Sequence, residues 1–126
     1  MNNLELVRAA IDASKNAHCP YSDYSVGAAI LCACDNVYVG CNFENASYGL
    51  SICAERNAIG AMVVGGCKKW KAIAIVTKNG APPCGACLQV LSEFATDGNE
   101  NIILANEDEI IVETTLASLF PTRFSL

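Results

Sequence analysis

Charge is scarce in this chain: lysine, arginine, aspartate and glutamate supply 17% of its 126 residues. The basic residues are scattered apart from Lys68, Lys69 and Lys71 around Trp70, which read as a solvated turn before a strand. A protein that grips a phosphate backbone needs a basic stripe; with a net charge of −5 and no such stripe, nucleic acid is excluded as a partner. No apolar run approaches the ~20 residues of a membrane span. Glu5, Arg8 and Asp12 interrupt the segment where a secretory leader would need an unbroken apolar stretch. The expectation is a cytosolic (cytoplasmic) protein with no membrane partner. Repeats, low-complexity tracts and linkers are missing too, so residues 1–126 read as a single domain, large enough to close a core without disulfide or metal staples. Histidine occurs once, and His18, near the end of the first predicted helix, reads as a surface residue rather than a metal ligand.

What the chain has in quantity is apolar surface and sulfur. Apolar residues make up 52% of it, more than a core of this size needs, which points to subunit contacts and an oligomer. Eight cysteines in a reducing compartment are thiols or metal ligands rather than a disulfide framework.

Leu4, Val7, Ala10 and Ile11 recur at helical spacing and predict a helix over 3–17 ending near Asn16. "VGAAILCA" (26–33) and "NVYVGCN" (36–42) are strand-like and joined through Asp35 and Asn36, a hairpin signal. "ICAERNAIGAMVV" (52–64) predicts an apolar helix with Ser51 as N-cap and a stop at Gly65-Gly66. "AIAIVT" (72–77) is a buried-type strand. Pro82 and Pro83 suit the first turn of a helix running through Leu91 and Phe94 to Gly98. "NIILAN" and "IIVETT" are strands separated only by Glu107, Asp108 and Glu109, and a short helix follows near Leu116. So short a connection joins antiparallel neighbours and cannot make a parallel crossover. The alternation of strands and helices predicts an α/β layered domain.

"PPCGACLQ" (82–89) holds the chain's one C-x-x-C, which by itself fits a redox pair, half of a structural zinc knot or part of a catalytic metal site. It gains meaning beside "SICAERN" (51–57). Both cysteine groups fall at predicted helix starts, where unpaired N–H groups and the helix dipole favour thiolates. Cys84 and Cys87 share one face of a helix start and Cys53 can approach from the neighbouring helix, giving three soft ligands that suit Zn²⁺. Three protein ligands leave one position free, the arrangement of catalytic rather than structural zinc. Glu55, two residues after Cys53, is placed as a general base facing that position. Cys19, Cys32, Cys34, Cys41 and Cys67 contain no second C-x-x-C and read as small buried hydrophobes in strands and turns.

Cys-x-Glu followed by Pro-Cys-x-x-Cys is the signature of zinc deaminases. With "PYSDYSVGAAI", "NFENASYGLSICAERNA" and "PCGACLQVLSEF", the chain resembles the free-nucleoside cytidine deaminases over nearly its full length. The resemblance implies a three-layer α/β/α fold with a mixed five-stranded sheet whose last two strands are antiparallel, whereas the related polynucleotide deaminases carry a parallel last strand. It implies one Zn²⁺ per subunit and hydrolysis of cytidine or deoxycytidine to the uracil nucleoside and ammonia. It also implies a nucleoside substrate and a homotetramer. Asn42 and Glu44 resemble the family's ribose clamp, and a carboxylate there would repel the phosphate of a polynucleotide. Tyr24 stands where the family places an aromatic against the base, and Ala54 is implied in the same pocket. Tyr48 and Phe124 are expected to close it across subunits. Arg56 is expected to donate to the ligand sulfurs and offset the excess charge of three thiolates, and Gln89 is expected close behind the metal. One departure stands out: Leu88 occupies the position where many members carry a second arginine, which makes the site more dependent on Arg56.

Overall fold

Alternation along the strands decides which helix each side chain meets. The computed structural model describes residues 1–126. Its first strand β1 (Gly27–Cys32) sends Ala28, Ile30 and Cys32 to one face of the sheet and Ala29 to the other. Helix α1 (Asn3–Ser14) covers the second face, packing Leu6, Val7 and Ala10 against Ala29 and against Ala72, Ala74 and Val76 of β3 (Trp70–Val76). The first face is covered by α2 (Ala54–Val64) through Ala58, Ile59 and Met62, and by α3 (Gly85–Glu93) through Leu91. The result is the expected three-layer α/β/α arrangement.

With β2 (Val37–Cys41), β4 (Asn101–Ala105) and β5 (Ile110–Thr115) the sheet has the order β2-β1-β3-β4-β5. Only β3 and β4 are parallel, being the one pair of neighbouring strands joined in sequence through a helix; β1–β2, β1–β3 and β4–β5 are antiparallel. The β1–β2 hairpin turns with Asp35 at φ 69, a left-handed conformation that aspartate tolerates. A short helix α4 (Leu116–Leu119) ends the fold. Trp70 is 2% exposed, and its indole N–H donates to Leu91 O at 2.9 Å, tying the start of β3 to the last turns of α3.

Four boundaries differ from expectation. α1 stops at Ser14, before Asn16. α2 is capped at Cys53 and not at Ser51: the Ser51 hydroxyl accepts from Asn45 N–H, and Ile52 exchanges two backbone bonds with Phe43, so the chain stays extended until Cys53. α3 starts at Gly85 with Cys84 as N-cap, after the two prolines, whose fixed φ serves an extended approach as well as a first turn. It ends at Glu93, not Gly98, since the buried Glu100 carboxylate takes the N–H groups of Thr96 and Gly98 into a turn.

Two glycines set how closely the helices lie on the sheet. A Cβ at Gly27 would meet Ala10 O of α1 at 1.9 Å, and one at Gly40 would meet Ala54 O and Ala58 N of α2 at 2.5 Å each. The obstructing atoms are helix backbone, so relief requires moving the helix. Gly40→Ala is therefore expected to cost about 1–3 kcal/mol in urea denaturation and to weaken metal retention, because the displaced turn bears Cys53 and Glu55. Gly60→Ala, on the same helix with nothing within 4 Å, is expected to gain about 0.5–1 kcal/mol.

Candidate active site

The topology gathers two helix N-termini at one edge of the sheet. The chain leaves β2 at Cys41 and enters α2 at Cys53; it leaves β3 at Val76 and enters α3 at Cys84. Because β1 pairs Gly27 with both Cys41 and Val76, these two strand exits are neighbours across β1. Both N-caps are cysteines with extended backbone. Cys87 follows one turn into α3 and is fully buried.

The three Sγ atoms of Cys53, Cys84 and Cys87 lie within 4.8 Å of one another, with Cys53 and Cys84 4.0 Å apart, and all three are free thiols. A tetrahedral metal with Zn–S bonds of ~2.3 Å sets ligand sulfurs ~3.8 Å apart, so this donor set fits zinc with little adjustment. The electrostatics favour a thiolate: Cys53 is drawn down to about 5 by hydrogen bonding with Cys87, with Arg56 and Cys84 adding to it, while Cys87, the partner holding the proton, is pushed up. Arg56 Nη2 donates to Cys53 Sγ at 3.6 Å, and its Nε is buried without a partner. Leu88 packs on the main core instead of reaching the sulfurs, leaving Arg56 as the guanidinium beside them.

A cavity of about 420 Å³ opens beside the trio. Cys53, Ala54, Glu55 and Cys84 form its floor, and Tyr24, Asn42 and Glu44 form part of its wall. Glu55 is 5% exposed; burial raises its carboxyl above the usual carboxylate range, and the neighbouring Cys53 adds to the rise. The chemistry available is that of a soft cation held by sulfur with a buried carboxyl in the first turn of α2, facing a chamber of nucleoside size.

A match to the family described as the cytidine and deoxycytidylate deaminase zinc-binding region covers residues 1–104. The chain belongs to that deaminase family. A cytidine deaminase of Sporosarcina psychrophila is 42% identical over 96% of this chain and 90% of its own length. That of Halalkalibacterium halodurans is 42% identical over 99% and 96%. Among solved structures, a Burkholderia pseudomallei cytidine deaminase superposes with TM-score 0.92 at 38% identity, covering 98% of this chain and 100% of that one. The Mycobacterium tuberculosis enzyme superposes at 0.86 with 37% identity, covering 100% and 99%.

The deaminase fold does not bring every expected residue into the cavity. Asn42 and Glu44 both line it, yet each is also tied to the protein. Asn42 Oδ1 accepts from Val26 N–H and its Nδ2 donates to Tyr24 O, both at 2.9 Å. Glu44 accepts from the Ser22 hydroxyl and from the N–H groups of Tyr21 and Ser22, which hold its carboxyl below the usual range. The Tyr24 hydroxyl, which needs a partner when half-buried, finds Asn79 Oδ1, and Lys78 Nζ stands 5.2 Å from the centre of its ring. Tyr48 and Phe124 lie outside the cavity in the single chain, 73% and 66% exposed. Gln89 reaches the tail, its Nε2 donating to Phe124 O at 3.2 Å, and is not in the cavity wall. His18 is exposed and sits beyond α1, its backbone bonded to Asn42 and Glu44.

Sequence reasoning missed Phe43, which also lines the cavity. Strict alternation would put it opposite Asn42 and Glu44, but β2 ends at Cys41 and residue 43 makes isolated bridges to His18 and Ile52. Thr77 was missed as well; its hydroxyl accepts from Ala81 N–H and donates to Asn79 Oδ1, shaping the loop that delivers Cys84. Its place at the exit of a buried strand was the available signal.

Arg56→Gln keeps a planar donor but removes the charge beside Cys53. It is expected to lower turnover about 10–100-fold, with zinc per chain unchanged by elemental analysis; full activity in that variant would remove any electrostatic role for Arg56.

Proposed function

We propose that this chain is a zinc-dependent cytidine deaminase acting on cytidine and deoxycytidine as free nucleosides. The observation that carries the reading is the sulfur trio of Cys53, Cys84 and Cys87 opening onto a nucleoside-sized cavity, with Glu55 buried in the first turn of α2. Those three cysteines would hold one Zn²⁺. Bound there, the ion supplies Lewis acidity that makes water a nucleophile near neutral pH.

The remaining steps belong to the chain's own groups. Glu55 takes a proton from the attacking water and delivers it to N3 of the base, so the new C4–O bond forms on a ring already made electrophilic. The same carboxyl then carries a proton to the amine on C4. The C4–N bond breaks, and the uracil nucleoside and ammonia leave. Burial of Glu55 favours this shuttle, because a carboxyl whose affinity for the proton is raised holds it between the two transfers. Arg56 steadies the thiolate of Cys53.

Asn42 and Glu44 would bind the sugar. Asn42 has one Nδ2 hydrogen left after its bond to Tyr24 O, and the Glu44 carboxylate is held ionised and oriented by Ser22 and Tyr21. An anion at that place disfavours a phosphate, which supports a nucleoside over a polynucleotide, as does the antiparallel β4–β5 pair. Tyr24 and Ala54 would flank the base. The exposed Tyr48 and Phe124 would complete the pocket of a neighbouring subunit in a homotetramer, and the exposed Ile111 and Val112 of edge strand β5 are further apolar surface for such contacts. No helix is long and apolar enough to cross a membrane, and we place the enzyme in the cytoplasm with its soluble substrates.

Purified, metal-assayed protein is expected to convert the ultraviolet spectrum of cytidine into that of uridine with release of ammonia. Glu55→Gln is expected to retain zinc and lose turnover by a factor of about 10²–10⁴, whereas Cys87→Ser loses the metal together with activity. A Glu55→Gln variant with normal turnover would overturn the mechanism. Glu44→Ala is expected to raise KM for cytidine about 10–100-fold, the worth of a hydrogen bond to a charged group; an unchanged KM would remove Glu44 from the sugar site.

A further inference from the structure

A second group of sulfurs lies at the opposite end of α2. Cys32 closes β1, Cys34 lies in the β1–β2 turn, and Cys67 follows the Gly65-Gly66 stop of α2. Their Sγ atoms lie within 4.8 Å of one another, the same closeness as in the trio at the active site. Helix α2 has 11 residues and is therefore ~16 Å long, so the two groups are separate. None of the three lines the nucleoside cavity.

The expectation that these cysteines are small buried hydrophobes holds for Cys32 and Cys67, 0% and 5% exposed, and fails for Cys34, which is exposed. Packing alone would not place an exposed thiol against two buried ones. Cys67 Sγ is 3.7 Å from Cys34 Sγ, close to the ~3.8 Å between sulfurs on a tetrahedral metal. The backbone N–H of Cys34 donates to Cys32 Sγ at 3.2 Å, the kind of contact that orients a ligand sulfur and offsets its charge. Cys67 Sγ approaches the Lys69 carbonyl at 3.3 Å as well as the other two sulfurs. The group also follows the C-terminal end of α2, where the helix dipole favours a cation. Lys71 stands near these sulfurs, and its ion pair with Asp35 offsets the positive charge that would otherwise oppose a cation there.

A disulfide would satisfy two of the three sulfurs and strand the third. A shared cation satisfies all three. We propose that Cys32, Cys34 and Cys67 form a second site for a soft, thiophilic cation of the Zn²⁺ type, entered from the side of Cys34. On binding, each thiol releases its proton to solvent as its sulfur–metal bond forms, and no oxidant is required. The cation ties the β1–β2 turn to the far end of the helix whose first turn carries Glu55.

The test uses full-length protein, reduced, loaded with Zn²⁺ and freed of excess by desalting. The wild-type chain is expected to hold about two zinc ions, Cys34→Ser about one with its deaminase rate unchanged, and Cys87→Ser about one at the second site. In Cys87→Ser the added zinc is further expected to slow alkylation of Cys34 at least several-fold. Cys34 lies in an exposed turn, so its replacement tests the site without emptying the core. One zinc in both wild type and Cys34→Ser, two in both, or a Cys34–Cys67 disulfide in the reduced and loaded protein each overturns the proposal. None of these outcomes bears on the deaminase reading, which fails instead through Glu55→Gln.

Discussion

The convergence of Cys53, Cys84 and Cys87 depends on one constraint: two helices must begin at neighbouring strand exits with almost nothing between helix and sheet. Gly40 supplies that for α2. With no Cβ at this position, the backbone of α2 sits directly on β2, and the first turn inherits the position of the strand. On the α3 side, the Thr77 hydroxyl fixes Ala81 and the paired prolines hold the chain extended up to Cys84. A sulfur site tolerates little error, since moving one ligand by an ångström exceeds the flexibility of a metal–sulfur bond. Precision here comes from helix backbone resting on strand backbone, the least compliant contact a protein offers.

The same geometry separates the labour of three acidic and basic groups. Glu55 is buried and its proton affinity rises; Glu44, on the opposite wall, is wrapped in hydroxyl and N–H donors and stays charged. Two carboxyls of one cavity are thus set to opposite behaviour by their surroundings, one drawn toward holding its proton and the other toward staying charged. Arg56 donates its hydrogen bond to sulfur and to neither carboxylate, so its charge stands chiefly beside the sulfur trio. Leu88, facing the core, shows that this chain relies on a single guanidinium there.

Much of this was legible before any coordinates. The strand-like runs at 26–33 and 36–42, the Asp35-Asn36 turn, and the short link between β4 and β5 were enough for the order of elements and the antiparallel last pair. The Cys-x-Glu and Pro-Cys-x-x-Cys groups pointed to a shared metal, because chemistry at a helix start is a local property. What was not legible depended on distant partners. Ser51 has the composition of an N-cap, but its hydroxyl is taken by Asn45. Gln89 reads as a neighbour of the metal, yet its amide turns to Phe124. Cys32, Cys34 and Cys67 show no ligand spacing at all, since a strand end, a turn and a helix exit meet only after the sheet and α2 have packed. Their one local trace, Cys-x-Cys in a hairpin turn, is too short a pattern to separate from chance.

The lone tryptophan gives the molecule an optical gauge of its own. Trp70 is sealed from solvent and its indole hydrogen is bound to the last turns of α3, the helix that carries two of the three sulfurs. Its emission therefore reads the seating of that helix on the sheet directly, and any loosening of the sulfur-bearing layer registers as a shift in colour without a label being added to the chain.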